Sequence, residues 1–143
     1  MIRKAVESDI GSIHAIDTIA QRDRAREDFI RRSVADGNCW VLVASDSKST
    51  AEVAGYGVLN YSFYDCGLID MLMVRPDRRR HGYGSELIRH MELECRTEKL
   101  FTSTNESNAP MQALLAKLGY QPSGIIYNLD DGDPELVYFK QLR

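Results

Sequence analysis

Cysteine is scarce in this sequence, and its placement excludes two common kinds of site. The three cysteines are odd in number, lie far apart and form no CxxC pair. That pattern favours reduced thiols in a cytoplasmic compartment over a disulfide framework. The three histidines have no metal-ligand spacing with one another or with the cysteines, so we expect no metal site.

Long apolar runs and an excess of basic charge are missing as well. No segment has the length and hydrophobicity of a membrane span, and no basic start followed by an apolar stretch suggests a signal peptide. We therefore expect no membrane partner. The 18 Lys and Arg residues are outnumbered by 21 Asp and Glu, for a net charge of −3. Because nucleic-acid-binding domains are usually strongly basic, we expect no nucleic-acid partner either.

What the sequence does contain is the composition of an ordinary soluble domain. Hydrophobic residues make up 43% and charged residues 27% of 143 positions, which is enough for one domain with a core. No linker, repeat or low-complexity segment interrupts the chain. A single domain over residues 1–143 is therefore expected.

Hydrophobic periodicity and turn residues predict the element order β-α-α-β-β-β-α-β-α-β-β. Ser8 is predicted as the N-cap of the first helix, and Gly37 as the stop of the second. A turn at 45–50 joins the predicted strands 39–44 and 53–61. The order predicts a mixed α/β (α+β) layer: one largely antiparallel sheet of six to seven strands with four helices on both faces.

The most informative stretch leads from an apolar strand ending at Val74, through a turn rich in arginine, to a helix opened by Gly82 and Gly84. A helix start aims unpaired backbone N–H groups outward, and glycine lets the backbone approach a ligand closely. Partial positive charge at the helix N-terminus favours an anion there. The turn is predicted to bind the pyrophosphate of a nucleotide-like cofactor.

Two common phosphate motifs do not fit this turn. A dinucleotide fingerprint fails because Leu87 occupies the position of the third glycine, and a Walker loop fails because no Gly-Lys-Ser/Thr follows. A solvated basic turn is the remaining alternative to a binding site.

The segment Arg79-x-x-Gly82-x-Gly84, which follows an apolar strand and a Val-x-Pro exit, resembles the signature of the GNAT superfamily of acetyl-CoA-dependent N-acetyltransferases. Downstream, NAPMQALLAKLGY at 108–120 is similar to that family's Asn-led helix, which ends in Gly and an aromatic residue. The resemblance implies a GNAT-like fold over essentially the whole chain. It also implies an acyltransferase that moves the acetyl group of acetyl-CoA to a primary amine of a small molecule or peptide by direct attack.

The resemblance further implies which residues bind the cofactor. Backbone groups of the central strand would bond the pantetheine arm, turn amides would cradle the pyrophosphate, and an asparagine would lie near the arm. These residues are Leu72, Met73, Val74, Arg79, Arg80, His81, Gly82, Tyr83, Gly84, Ser85 and Asn108. Asn108 is also predicted as a helix N-cap, which is compatible with that role. Asn105 is a second choice.

Asp70 is the candidate catalytic base, because a carboxylate in an apolar strand would be desolvated and thereby a stronger proton acceptor. Its structural alternative is a carboxylate bonded to backbone at a sheet irregularity. The family's usual proton-donating tyrosine falls on Leu115. Tyr120 or Tyr127 therefore takes that role, or no dedicated acid is used.

The resemblance assigns the acceptor side to three loops, at 19–27, 61–66 and 129–134. The last contains three aspartates and the middle one two tyrosines and an aspartate, which would attract a cationic amine; the alternative is a solvated hairpin turn. A homodimer is among the expected partners. Two other functions stay open: a non-catalytic CoA-binding regulatory domain, and a binder of phosphorylated ligands or nucleic acid through Arg78–Arg80.

Overall fold

The computed structural model describes residues 1–44 and 52–143, and within them seven strands and four α-helices. The strands are β1 (Ile2–Lys4), β2 (Cys39–Ala44), β3 (Glu52–Phe63), β4 (Cys66–Val74), β5 (Lys99–Asn105), β6 (Gln121–Ile126) and β7 (Glu135–Gln141). The helices are α1 (Ile10–Ile16), α2 (Arg24–Ala35), α3 (Tyr83–Glu94) and α4 (Ala109–Lys117). Short 3₁₀ helices cover Glu7–Asp9 and Pro76–Arg78.

The strands form one sheet in the order β1-β2-β3-β4-β5-β7-β6. The pairs β1–β2, β2–β3, β5–β7 and β6–β7 are antiparallel, whereas β4 and β5 are parallel where Gly67–Ile69 face Leu100–Thr102. The predicted mixed α/β class, with a largely antiparallel sheet and four helices, is therefore confirmed. The chain divides into two compact units, one of Met1–Leu59 with Met71–Leu93, the other of Asn60–Asp70 with Glu94–Arg143.

The first unit has helices on both faces of its strands. Apolar side chains of α1 and α2, among them Ile13 and Ile30, share a buried cluster with Tyr56 of β3. Successive residues of a strand face opposite sides, so Gly55 and Gly57 face the other way. A Cβ on Gly57 would lie 2.7 Å from Met91 Cε of α3. The missing side chains therefore let α3 pack closely against β3.

The second unit is built around the long pairing of β5 with β7, which runs in register from Lys99–Gln141 to Asn105–Glu135. α4 buries Leu115 and is followed by Leu118 and Tyr120, which are also buried. Gly119 ends the helix with φ +90°, as predicted for a glycine at this position. β6 lies at the edge of the sheet, and its six residues are all exposed.

Several local predictions are wrong. Ser8 lies inside the 3₁₀ helix rather than at the cap of α1. β3 extends to Phe63, and the loop predicted at 61–66 is a two-residue turn at Tyr64 and Asp65 with φ of +53° and +61°, the backbone that a tight hairpin requires. The predicted turn at 45–50 lies outside the described residues.

The predicted burial of β4 on both faces is wrong as well. Gly67 and Ile69 are buried, the residues from Met71 to Val74 are half-buried, and Asp70 is exposed. The apolar composition suggested a strand covered on both sides, but strand alternation places Asp70 on the opposite face from Ile69.

Candidate active site

The turn between β4 and α3 has the backbone of an anion-binding loop. After the 3₁₀ helix Pro76–Arg78, Arg80 and Gly82 take φ of +69° and +79°. An added Cβ on Gly82 would meet nothing within 4 Å, so glycine is favoured here by the backbone conformation and not by lack of space. α3 begins at Tyr83, and its first amides have no partner within the helix. The turn thus presents N–H groups and the positive end of a helix dipole.

The arginines of this turn divide into two groups. Glu52 at the start of β3 pairs with Arg75 at 2.9 Å and with Arg78 at 2.7 Å. The hydrogen bond from Arg78, and after it the one from Arg75, holds the pKa of Glu52 below its ordinary value. Arg79 and Arg80 are exposed, and Arg79 Nε donates to the carbonyl of Val74 at 3.4 Å. The positive charge presented to solvent therefore comes mainly from Arg79 and Arg80.

Two aromatic side chains border the same turn. The rings of His81 and Tyr83 stack with centroids 5.7 Å apart. His81 is exposed and Tyr83 half-buried, so the pair forms a partly exposed flat surface beside the helix start.

Asp70 is hydrogen-bonded rather than desolvated, which corrects the expectation from its apolar strand. Its Oδ2 accepts from Asn60 Nδ2 at 2.9 Å. Asn60 is itself held by Ser62, whose backbone N–H and hydroxyl both donate to Asn60 Oδ1. Asn60 is thus oriented with its amide toward Asp70. The sequence offered no signal for this pair, because only the β3–β4 hairpin brings the two residues together.

The residues considered as proton donors lie in different surroundings. Leu115, at the family's tyrosine position, is fully buried, and Tyr120 is only 4% exposed. The Tyr120 ring lies 5.4 Å from Lys140 Nζ, and its backbone N–H donates to Leu115 O at 2.9 Å. Tyr127 is 64% exposed.

Asn108 has the capping role that the sequence predicts. Its Oδ1 accepts from the Met111 backbone N–H at 3.2 Å, at the start of α4. Asn105, the second choice, instead donates from Nδ2 to Asp130 Oδ2 at 2.9 Å.

Two of the three aspartates in the β6–β7 hairpin make structural hydrogen bonds. Asp130 accepts from Asn105, and Asp133 accepts from both the backbone N–H and the hydroxyl of Ser107, at 3.0 and 2.6 Å. These bonds fasten the hairpin to the segment that leads into α4. Asp131 is exposed and is the remaining acidic side chain of this turn.

Among residues 1–44 and 52–143, no three His, Cys, Asp or Glu side chains are grouped so that they could hold a metal ion. No helix in the described part of the chain is long and apolar enough to cross a membrane.

Comparison with known proteins decides the family. A family model described as acetyltransferase (GNAT) family matches residues 8–120. The chain belongs to the GNAT family of acetyltransferases. Residues 8–120 include β4, the turn and α3, and they end at Tyr120. Membership makes the chain one of a family of acyltransferases, as its signature led us to expect.

Solved GNAT structures agree with this assignment. An acetyltransferase of the GNAT family from Bacillus cereus is 33% identical, with a TM-score of 0.87 over 99% of this chain and 96% of that one. The ribosomal-protein-S18-alanine N-acetyltransferase from Escherichia coli shares the fold at 19% identity, TM-score 0.76, over 99% and 93% of the two chains. The NatC complex bound to Gag peptide and CoA shares it at 16% identity, TM-score 0.78, over 100% and 98%. No curated protein matches the sequence significantly.

Proposed function

We propose that this GNAT protein transfers the acetyl group of acetyl-CoA to a primary amine of a small molecule or peptide. The observation that carries the proposal is the β4–α3 turn, with positive φ at Arg80 and Gly82, a helix start at Tyr83 and two exposed arginines. A pyrophosphate carries negative charge and several acceptor oxygens, so backbone N–H groups and arginines are the partners that it needs.

The residues proposed to bind acetyl-CoA follow from this turn and from the family signature. Amides from Arg79 to Ser85 would hold the pyrophosphate. Backbone groups of Leu72, Met73 and Val74 would pair with the pantetheine arm as an added strand does. Asn108 would contact the arm through its amide while its Oδ1 caps α4. Bound acetyl-CoA supplies a thioester whose acetyl carbon is open to a neutral amine.

Asp70 is the proposed proton acceptor for that amine. Asn60 occupies Oδ2, so we assign proton acceptance to Oδ1, directly or through one water. The Asn60–Ser62 contacts would keep the carboxylate in one orientation. Tyr120 is the proposed proton donor to the leaving thiolate. A thiolate leaves without full protonation, so this role would aid the reaction without being essential.

The acceptor is proposed to be an amine that carries additional positive charge. Fewer carboxylates support this proposal than the three aspartates of the β6–β7 hairpin suggest, because Asp130 and Asp133 accept hydrogen bonds from Asn105 and Ser107. Asp131, Asp65 and Asp70 are exposed carboxylates that we propose attract a cation. Peptide amines are supported by the fold relatives, one of which is a ribosomal-protein-alanine N-acetyltransferase and another bound to a Gag peptide.

A non-catalytic CoA-binding domain is the second candidate, and the observation that favours it is the fully buried Leu115 at the usual tyrosine position. One assay separates the two functions. Acetyl-CoA is incubated with diamines, neutral primary amines and short peptides, and the release of CoA thiol is measured. We expect release with at least one amine, and more with diamines than with neutral amines. Binding of acetyl-CoA without release on any amine would overturn the catalytic proposal.

A further inference from the structure

The segment between α1 and α2 is anchored to the sheet through a buried carboxylate that the proposed reaction does not use. Asp17 follows α1 directly and is 0% exposed. It contacts Tyr56 of β3 and Arg26 of α2. We refer to these three residues as the Asp17 clamp.

The contacts of the Asp17 clamp tie the connecting segment to two neighbouring elements. Asp17 Oδ1 accepts from the backbone N–H groups of Ile19 and Ala20 at 3.0 and 3.1 Å. Its Oδ2 accepts from the Tyr56 hydroxyl at 2.5 Å and from Arg26 Nη1 at 2.9 Å. One carboxylate therefore fixes the turn, a strand and the following helix at once.

The charge balance of the clamp explains how a buried carboxylate persists there. Burial by itself would raise the pKa of Asp17, but hydrogen bonds from Tyr56, Ala20 N–H and Arg26 hold it below its ordinary value. The pKa of the Tyr56 hydroxyl is raised, chiefly by burial and next by its hydrogen bond to Asp17. Every bond thus favours an ionised Asp17 and a neutral Tyr56.

Stability alone is a weak reason for such a cluster. Well-packed apolar residues often replace a buried ion pair at no loss of stability, whereas removal of one partner leaves a costly buried charge. A buried polar network does, however, allow few alternative arrangements of the backbone that it binds. The clamp is therefore better suited to hold the 17–23 segment in one position than to add stability.

That segment lines a depression on the surface of the first unit. The depression has a volume of about 600 Å³ and is lined by residues 20–24 together with Glu27, Asp28 and Arg31. Arg26 links the same region to β4, because its Nη1 lies 3.9 Å from Met71 Sδ. β4 also contains the backbone groups of Leu72, Met73 and Val74 that are proposed to bind the pantetheine arm.

We infer that Asp17, Tyr56 and Arg26 are positioning residues that hold the 17–23 segment in the arrangement that binds the amine acceptor. This inference rests on the proposed acetyl transfer. The three residues act through the backbone of Ile19 and Ala20 and do not contact the reacting atoms. They set the affinity for the acceptor and leave the affinity for acetyl-CoA unchanged.

Tyr56→Phe tests the clamp, with Tyr138→Phe as the control for loss of a hydroxyl from another buried tyrosine. The first readout is amide hydrogen exchange at Ile19 and Ala20, which needs no turnover. The second is KM for the best amine and for acetyl-CoA. In Tyr56→Phe we expect exchange at both amides and KM for the amine to rise about tenfold, because one hydrogen bond to a charged group is lost. KM for acetyl-CoA should stay within about twofold.

Arg26 supplies a second test, because Arg26→Gln removes the charge that Arg26→Lys retains. We expect KM for the amine to rise in Arg26→Gln and to lie closer to the wild-type value in Arg26→Lys. Unchanged exchange at Ile19 and Ala20 in Tyr56→Phe, or an equal change in both KM values, would overturn the inference. If the wild-type protein turns over no amine, the proposed function fails. The exchange result alone then decides whether the clamp holds the segment.

Discussion

Asp17 and Asp70 are acidic residues of opposite character. Asp17 is fully buried and bonded to a hydroxyl, a guanidinium and two amides, whereas Asp70 is exposed and bonded to Asn60. A carboxylate with several donors around it holds its charge and is a poor proton acceptor. Asp70 is exposed and is bonded by Asn60 at Oδ2, so we propose Asp70, through Oδ1, as the base.

Asp70→Asn should lower kcat/KM for the amine by about 10²–10⁴-fold, because an amide does not accept the amine proton. The exposed side chain should make the effect on stability small. Asp36→Asn removes one exposed negative charge at the end of α2 and serves as the control, with activity close to wild type. Steady-state kinetics at several pH values checks this. Equal activity of Asp70→Asn and Asp36→Asn would contradict the role of Asp70 as base.

The surroundings of these aspartates could not be read from the sequence. An aspartate inside an apolar run predicted burial at Asp70, but which strand face is covered depends on partners distant in the chain. Asp17 gave no comparable signal, because Tyr56 and Arg26 lie 39 and 9 residues away. Most local features did better, although the N-cap predicted at Ser8 is wrong. Asn108 as N-cap and Gly37 and Gly119 as helix stops depend on neighbouring residues, and they are confirmed.

At the scale of elements, the start of α4 combines a structural role with a proposed binding role. Asn108 caps the helix through Oδ1, while its Nδ2 is the group proposed to contact the pantetheine arm. The nearby hairpin is fastened by Asp133 to Ser107. The helix start is therefore held from both sides of Asn108, by the cap and by the hairpin.

Two substitutions separate the roles of Asn108. Asn108→Ala should lose about 0.5–2 kcal/mol of unfolding free energy with the cap, and affinity for acetyl-CoA as well. Asn108→Asp keeps a good cap, so its stability should be near wild type while its affinity for acetyl-CoA falls with the lost amide donor. Chemical denaturation and calorimetric titration measure the two quantities. If Asn108→Asp bound acetyl-CoA with wild-type affinity, the proposed contact of Asn108 with the pantetheine arm would be contradicted and only its capping role would stand.

At the scale of the whole molecule, the element order and fold class could be predicted from the sequence. The dependence of the fold's stability on acidic pH follows from its ion pairs. The pKa values of Asp17, Asp9 and Glu52 are all held below their ordinary values, in Asp17 against the effect of burial and in Asp9 chiefly by its hydrogen bond from Arg3. Groups of this kind stabilise the folded state above their pKa in the unfolded chain, and that contribution is lost as the pH falls from the unfolded pKa through the lower folded pKa.

The unfolding free energy should therefore fall as the pH drops below about 5, with a slope of up to about 1.4 kcal/mol per pH unit for the proton taken up by the buried Asp17. Tyr56→Phe should be less stable than wild type at pH 7, because Asp17 loses a donor. Since the pKa of Asp17 is lowered less in this variant, the difference should shrink as the carboxylate is protonated. Urea denaturation across this range measures both curves. Parallel curves would contradict the account of Asp17.

The most direct test of the central claim is the affinity of the β4–α3 turn for acetyl-CoA, measured by calorimetry. Gly82→Ala forces a side chain onto a residue at φ +79°, and Gly37→Ala does the same at φ +73° at the end of α2. Both variants should lose similar stability, about 1–2 kcal/mol. Only Gly82→Ala should bind acetyl-CoA about tenfold or more weakly, because relief of the strain turns its amides away from the pyrophosphate. Equal affinity of Gly82→Ala and Gly37→Ala would contradict the claim that this turn holds the cofactor.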